Sequence, residues 1–221
     1  MLRAVAAVTL SVLLAGCATQ AQREAQNIRT LTLSAKAALD SCVASAALGH
    51  DDLAAHMPLN GNAEPSLQQL ADDSRITPAE TQSLITWHSA IEQCRHGLLA
   101  DIQPTLPTIA VVLQTAYAHY DEVLVALMKH QISWGTADQQ LVAVRRQGQE
   151  ALMQASKEIV SQLQQADAAE RAQRAAAAAA LAQAAAAFSQ AAQQQQLINQ
   201  MNRPAITNCN RFGNMVNCTT Y

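Results

Sequence analysis

Aromatic side chains are almost missing from this sequence: two Trp, three Tyr and two Phe make up 3% of 221 residues. Charge is sparse as well, with 14 Lys+Arg against 17 Asp+Glu and a formal net charge of -3. Without a basic surplus there is no electrostatic footprint for a phosphate backbone, and with so few rings there is little to stack on bases. Nucleic-acid binding is therefore excluded as an expectation. Glycine (7) and proline (6) are few, which argues against the many tight turns of a β-sandwich and the glycine-rich turns of a dinucleotide-binding sheet. What is abundant is helix-forming. Half of the chain is hydrophobic by a broad count, and alanine alone supplies about a fifth of it.

The first seventeen residues have a distinct form. Met1-Leu2-Arg3 precedes a mainly apolar run from Ala4 to Leu14, followed by Ala15-Gly16-Cys17. One basic residue, roughly eleven mostly apolar ones and small residues at the end describe an export signal too short to span a bilayer. Leu14-Ala15-Gly16-Cys17 resembles the lipobox of bacterial lipoprotein precursors. The resemblance implies cleavage before Cys17, a diacylglyceryl group on its thiol and an acylated new amine. It also implies the outer membrane, since Ala18 stands where an aspartate would signal inner-membrane retention. Two or more acyl chains give stable anchoring at ~0.8 kcal/mol per buried CH₂, so the expected address is lipid-anchored and periplasm-facing.

Four further cysteines, Cys42, Cys94, Cys209 and Cys218, form an even set for an oxidising compartment. Proximity selects among the three connectivities. Cys209 and Cys218 bracket eight residues with a turn signal at Gly213-Asn214, which leaves Cys42 and Cys94 to pair. The ending also resembles the cysteine-bracketed tails of assorted proteobacterial envelope proteins, a likeness that implies the disulfide and no activity. No Cys-x₂-Cys pair supports a zinc ribbon or a thioredoxin-type redox site.

Helical periodicity runs through the rest. Ile28, Leu31, Ala35, Ala38 and Cys42 predict a first helix over about 21–48 that stops at Gly49. Residues 49–77, with Pro58, Gly61 and Pro65, read as a long connection with a short helix near 66–71. Thr77-Pro78-Ala79-Glu80 is a complete capping box with proline at the first helical position. It opens a second helix with the stripe Leu84, Trp87, Ile91, Cys94 and Leu98. In a simple antiparallel hairpin Cys42 would lie level with Ser83 or Leu84, ~15 Å short of Cys94 at 1.5 Å per residue. The bridge thus requires either parallel helices or a connection that climbs back along the bundle. A third helix is expected over about 107–132, and Thr136-Ala137-Asp138-Gln139 reads as the capping box of a fourth. From 166 to 200 almost everything is Ala or Gln, so the helix should continue with little to bury. If unbroken from 137 it would reach ~96 Å and project beyond the bundle. Its glutamines argue against a membrane span.

Chemistry-bearing sets are thin. His50, His56, His88, His96, His119 and His130 show no His-Glu-x-x-His, no i,i+4 histidine pair and no adjacent acid in ligand spacing. His50-Asp51-Asp52 with His56 is the nearest approach to a cluster and reads as a solvated loop; His88 and Arg95-His96 read as a wet helix face. No Gly-x-Ser-x-Gly elbow or phosphate loop occurs. Asp72-Asp73 and Asp121-Glu122 are adjacent, so on a helix their side chains diverge. Trp87 and Trp134 read as core.

The expectation is an all-α helical bundle of about four helices, with a long projecting C-terminal Ala/Gln-rich helix and a small disulfide-closed tail. Its divisions are a signal peptide (1–16), a bundle (17–165), the extended helix (166–200) and the tail (201–221). The expected role is that of a non-catalytic structural or adaptor lipoprotein, lipidated at Cys17 and bridged through Cys42, Cys94, Cys209 and Cys218, with no metal and no cofactor. Its expected partners are the membrane, an envelope protein and a second copy through 166–200. The alternative is a small-ligand or metal-binding bundle that uses the 49–77 segment.

Overall fold

The computed structural model describes residues 18–60, 63–201 and 207–220. The expected signal peptide and the lipidation residue Cys17 lie outside the described residues. The chain falls into two compact units, one up to Ala168 and one from Ala169 onward.

The first unit is built from helices α1 (Gln20–Ala46), α2 (Asp51–Ala54), α3 (Leu67–Leu70), α4 (Pro78–Ile102) and α5 (Pro107–Met128), with the first half of α6 (Trp134–Met201). Three of these helices begin with reciprocal capping boxes: Thr19 with Gln22, Ser66 with Gln69, and Thr77 with Glu80. Each box satisfies two backbone N–H groups that a helix start otherwise leaves bare. The Thr19 hydroxyl additionally donates to Asp167 Oδ1 at 2.5 Å, tying the start of α1 to α6.

α1 and α4 run antiparallel. Ala35 packs near Ile102, Cys42 is bonded to Cys94 with Cα atoms 5.7 Å apart, and His50 Nδ1 lies 2.9 Å from Ser83 Oγ. Position rises along one helix as it falls along the other. The connection therefore does not step straight across. It leaves the end of α1, folds over the bundle and returns to α4 at the level of His50. On the way it sends Leu53, Met57, Leu59 and Ile76 into the main core, beside Leu84, Trp87, Ile91, Leu124, Leu127, Trp134 and Leu141. Burying each such side chain contributes roughly 1.5–3 kcal/mol, so the segment is part of the core.

Two helix boundaries differ from the sequence expectation. α5 ends at Met128, before the expected residue 132. His130 turns into the left-handed region (φ 57°); its N–H reaches Leu127 O at 2.9 Å, and Gln131 N–H reaches Ala126 O at 3.0 Å. This is a Schellman ending with histidine where glycine is usual. α6 begins at Trp134, and its first turn is capped by Ser133, whose Oγ accepts from Thr136 N. The Thr136–Gln139 box does not form, because Gln139 Nε2 donates to Leu70 O at 3.2 Å instead. Trp134, Ala137 and Asp138 are buried against the connection, with Trp134 N and Gly135 N donating to Ser74 O and Asp72 O. Tertiary contacts with residues 70–74 override the local cap.

In the second unit every side chain of α6 from residue 171 to 201 is exposed, including Leu181 (73%) and Phe188 (78%). An 18-residue window of α6 reaches a mean hydropathy of 1.2, enough by length and composition alone to cross a membrane, and none of it is buried. Strands β1 (Thr207–Phe212) and β2 (Met215–Thr220) form an antiparallel hairpin. Gly213 (φ 60°) supplies the tight turn expected at that position. Cys209 and Cys218 face each other in register and are bonded, with Cα atoms 4.0 Å apart.

Candidate functional site

A groove of about 800 Å³ opens in the first unit, within the size range of small-molecule sites. Leu39 and Val43 of α1 and Trp87 and Ile91 of α4 form one side of it. Leu113, Tyr117 and Tyr120 of α5, with Val144 and Leu152 of α6, form the other. Pro58, Leu59, Asn60 and Ala63 of the long connection complete the wall. The connection is fastened there by Arg145, whose Nη1 donates to Ala63 O at 2.8 Å. Gly148 lets α6 approach α5, since a Cβ at that position would lie 3.3 Å from the Ala116 Cβ. The Cys42–Cys94 bond sits one turn or less from wall residues on both α1 and α4, and so sets the separation of those walls.

Arg95 overturns its reading as part of a wet helix face. Its side chain is buried (7% exposed), lies over the rings of Tyr117 (4.5 Å) and Tyr120 (5.1 Å), and hydrogen-bonds Glu92 Oε1 (2.5 Å) and Asp121 Oδ1 (2.7 Å). Burial opposes its charge, but Asp121 and Glu92 more than restore it and raise its pKa. Burial also pushes the Tyr120 phenol up to about 12, despite nearby Arg95 and Arg145. His88 is half-buried, with Nε2 2.9 Å from Asp121 Oδ1, whereas His96 is exposed as expected. His88, Glu92 and Asp121 bring their ligand atoms within 4.8 Å of one another. The i,i+4 spacing of His88 and Glu92 is the sequence signal for this cluster, and it overturns the expectation that no acid stands in ligand spacing to a histidine. The Arg95 guanidinium already hydrogen-bonds both carboxylates of this cluster. Asp121 and the exposed Glu122 do diverge, as adjacent helical residues should, and Glu122 meets His119.

A second polar group lies where the connection meets α6. His56 stacks on Trp134 (4.8 Å, 11°), with Nδ1 2.6 Å from Asp72 Oδ2 and Nε2 3.1 Å from Glu80 Oε1. His50, placed beside it in the sequence reading, instead meets Ser83, so the two histidines do not converge. Burial works against the Asp72 carboxylate, but hydrogen bonds from Ser74 and His56 hold its pKa below the usual range. Asp138 is 1% exposed, and burial raises its pKa to about 7 against the pull of Arg145. Trp87 and Trp134 are core residues as expected, at 2% and 0% exposure, but Trp87 also lines the groove.

No nucleophile–base–acid set is assembled among the described groove residues. The groove wall is mainly aliphatic and aromatic, with Asn60, Arg145, Gln149 and the two tyrosines among its polar members. No protein-family model, no curated protein and no solved structure matches this chain.

Proposed function

We propose that this chain is a lipoprotein of the bacterial outer membrane, anchored through acyl groups on Cys17 and facing the periplasm, that works by binding rather than by catalysis. Its helical unit receives a small, largely apolar ligand. The observation that carries this reading is the groove of about 800 Å³, whose wall includes the long connection held by Arg145. The connection thus has two uses: it supplies core and it shapes a site. A neutral solvatochromic probe, N-phenyl-1-naphthylamine, should bind the purified full chain saturably. Leu113→Trp, which fills the groove, should abolish the signal while leaving helix content by circular dichroism unchanged. Mass spectrometry of material from the native membrane should find Cys17 as an acylated first residue; an intact leader would remove the anchor.

A structural or adaptor role through the second unit is the other reading. It is favoured by Leu181 and Phe188, a heptad apart on a fully exposed stretch of α6, together with a disulfide-closed hairpin. Sedimentation equilibrium should then show self-association that Leu181→Asp with Phe188→Asp removes. Deleting residues 166–221 should abolish co-purification with an envelope partner.

A further inference from the structure

Outside the groove, three metal-ligating side chains converge on one point. His88 and Glu92 stand one turn apart on α4, Asp121 arrives from α5, and their ligand atoms lie within 4.8 Å of one another. His88 Nε2 is 2.9 Å from Asp121 Oδ1 and 3.9 Å from Glu92 Oε1. Ligands held at ~2 Å by one tetrahedral ion stand ~3.3 Å apart, and these two separations bracket that spacing. His56 offers the contrast: its two acids, Asp72 and Glu80, meet opposite ring nitrogens and flank the ring instead of sharing a point.

The surroundings suit an ion as well. The three side chains are each half-buried, and a pocket of about 120 Å³ opens on His88 and Asp121 between Leu84, Leu124 and Met128, which gives an approach from solvent. Arg95 orients both acids. Its Nη1 bonds Glu92 Oε1 and Asp121 Oδ1, its guanidinium is held against Tyr117 and Tyr120, and each carboxylate keeps a second oxygen for a ligand. Outer hydrogen bonds of this kind fix the carboxylates of metal sites. Two carboxylates against one guanidinium also leave the cluster one negative charge in excess while His88 is neutral.

We propose that His88, Glu92 and Asp121 bind a divalent transition-metal ion of the zinc class. His96, one further turn along α4 with Nε2 3.9 Å from Glu92 Oε2, supplies the fourth ligand. Imidazole nitrogen and carboxylate oxygen suit zinc, and Cys94 offers no thiolate because it is bonded to Cys42. Calcium, which takes roughly six to eight oxygens, is poorly served by this set. The ion joins α4 to α5, and the site does not depend on the groove's being a binding site.

The test uses the full chain without a polyhistidine tag, stripped with chelator and titrated with Co²⁺ as a spectroscopic stand-in for Zn²⁺. One equivalent should produce the visible d–d bands of a four-coordinate ion, and Zn²⁺, the tighter binder of the two, should displace it. Zn²⁺ should also raise the urea midpoint, as any ligand of the folded state does. His88→Ala leaves the pairing of Arg95 with Glu92 and Asp121 in place and should weaken Co²⁺ binding by about tenfold or more. His96→Ala should alter the bands, and His119→Ala, on an exposed side chain of α5, should match the parent. A folded chain that gives no stoichiometric bands, or bands that persist at the parent's affinity in His88→Ala, would overturn the site. Shallow binding of several equivalents, equal in all variants, would show scattered surface contacts and overturn it too. Unaltered bands in His96→Ala would overturn the fourth ligand.

Discussion

Arg145 Nη1 reaches Ala63 O at 2.8 Å across 82 residues of sequence, and this one hydrogen bond joins the long connection to the last helix at the rim of the groove. A charged donor to a backbone carbonyl contributes about 1.5–3 kcal/mol when sheltered, and Arg145 is sheltered on most sides. Arg145→Ala should therefore loosen the connection locally. Hydrogen exchange of the Leu59, Asn60, Ala63 and Glu64 amides should speed up by about tenfold or more, while the amides of α4 keep their protection. Unchanged exchange at those four would show that the core residues Met57 and Leu59 hold the segment unaided.

The Cys42–Cys94 bond closes a loop of 52 residues, and restricting so long a loop in the unfolded chain is worth about 4 kcal/mol. Replacing both cysteines by serine should lower the free energy of unfolding in urea by that order. The groove should suffer with it, because the bond spaces the α1 and α4 walls. A double-serine chain that unfolds at the same urea concentration as the parent would mean that packing between α1 and α4 suffices.

Two glycines in helices should respond oppositely to alanine. At Gly135 a Cβ would fall 2.6 Å from Leu70 O and 2.9 Å from Asp72 N, both backbone atoms with no side chain to swing aside. Gly135→Ala should cost about 2–4 kcal/mol and lower the melting temperature. At Gly97 nothing lies within 4 Å, so Gly97→Ala should instead stabilise the protein by up to about 1 kcal/mol through helix propensity. Thermal melts of the two variants give the signs directly.

Asp138 makes stability depend on pH in a defined window. Its folded pKa of about 7 lies above the ordinary aspartate value of 3.8. Between those values the folded state holds a proton that the unfolded state has released, so stability falls as pH rises. The contribution is fully present below pH 3.8, declines through the folded pKa of about 7, and is gone above it. Asp72, with a lowered pKa, acts in the opposite sense and loses its contribution as pH falls through its folded value. Asp138→Asn should flatten the decline between pH 4 and 7 and leave the variant more stable than the parent at pH 8, with Arg145, His56 and Asp72 as its charged surroundings. Urea midpoints across that range test it. An unchanged slope would mean that Asp138 is ionised throughout.

Much of this fold is written locally. The capping box at Thr77 needs only residues three apart, alanine and glutamine tracts carry their own helix propensity, and the Cys209–Cys218 staple encloses a turn that its glycine already specifies. Periodicity also identified the buried stripe Leu84–Trp87–Ile91–Cys94, and with it the side of α4 on which the bridge to α1 forms. These features were legible because the forces behind them act over a few residues.

The candidate site was not legible in the same way. Arg95 reads as a surface charge until Tyr117, Tyr120 and Asp121 arrive from another helix to cover and pair it. Asp138 reads as part of a helix cap until residues 70–74 of the connection claim the first turn of α6 and bury it. The groove itself exists only because the connection returns along the bundle and brings Leu59 and Ala63 opposite Tyr120 and Arg145. Local propensity decides which segments are helical and where they start. Which charges lose their water, and what space is left between helices, depend on surfaces that meet only after the chain has folded back on itself.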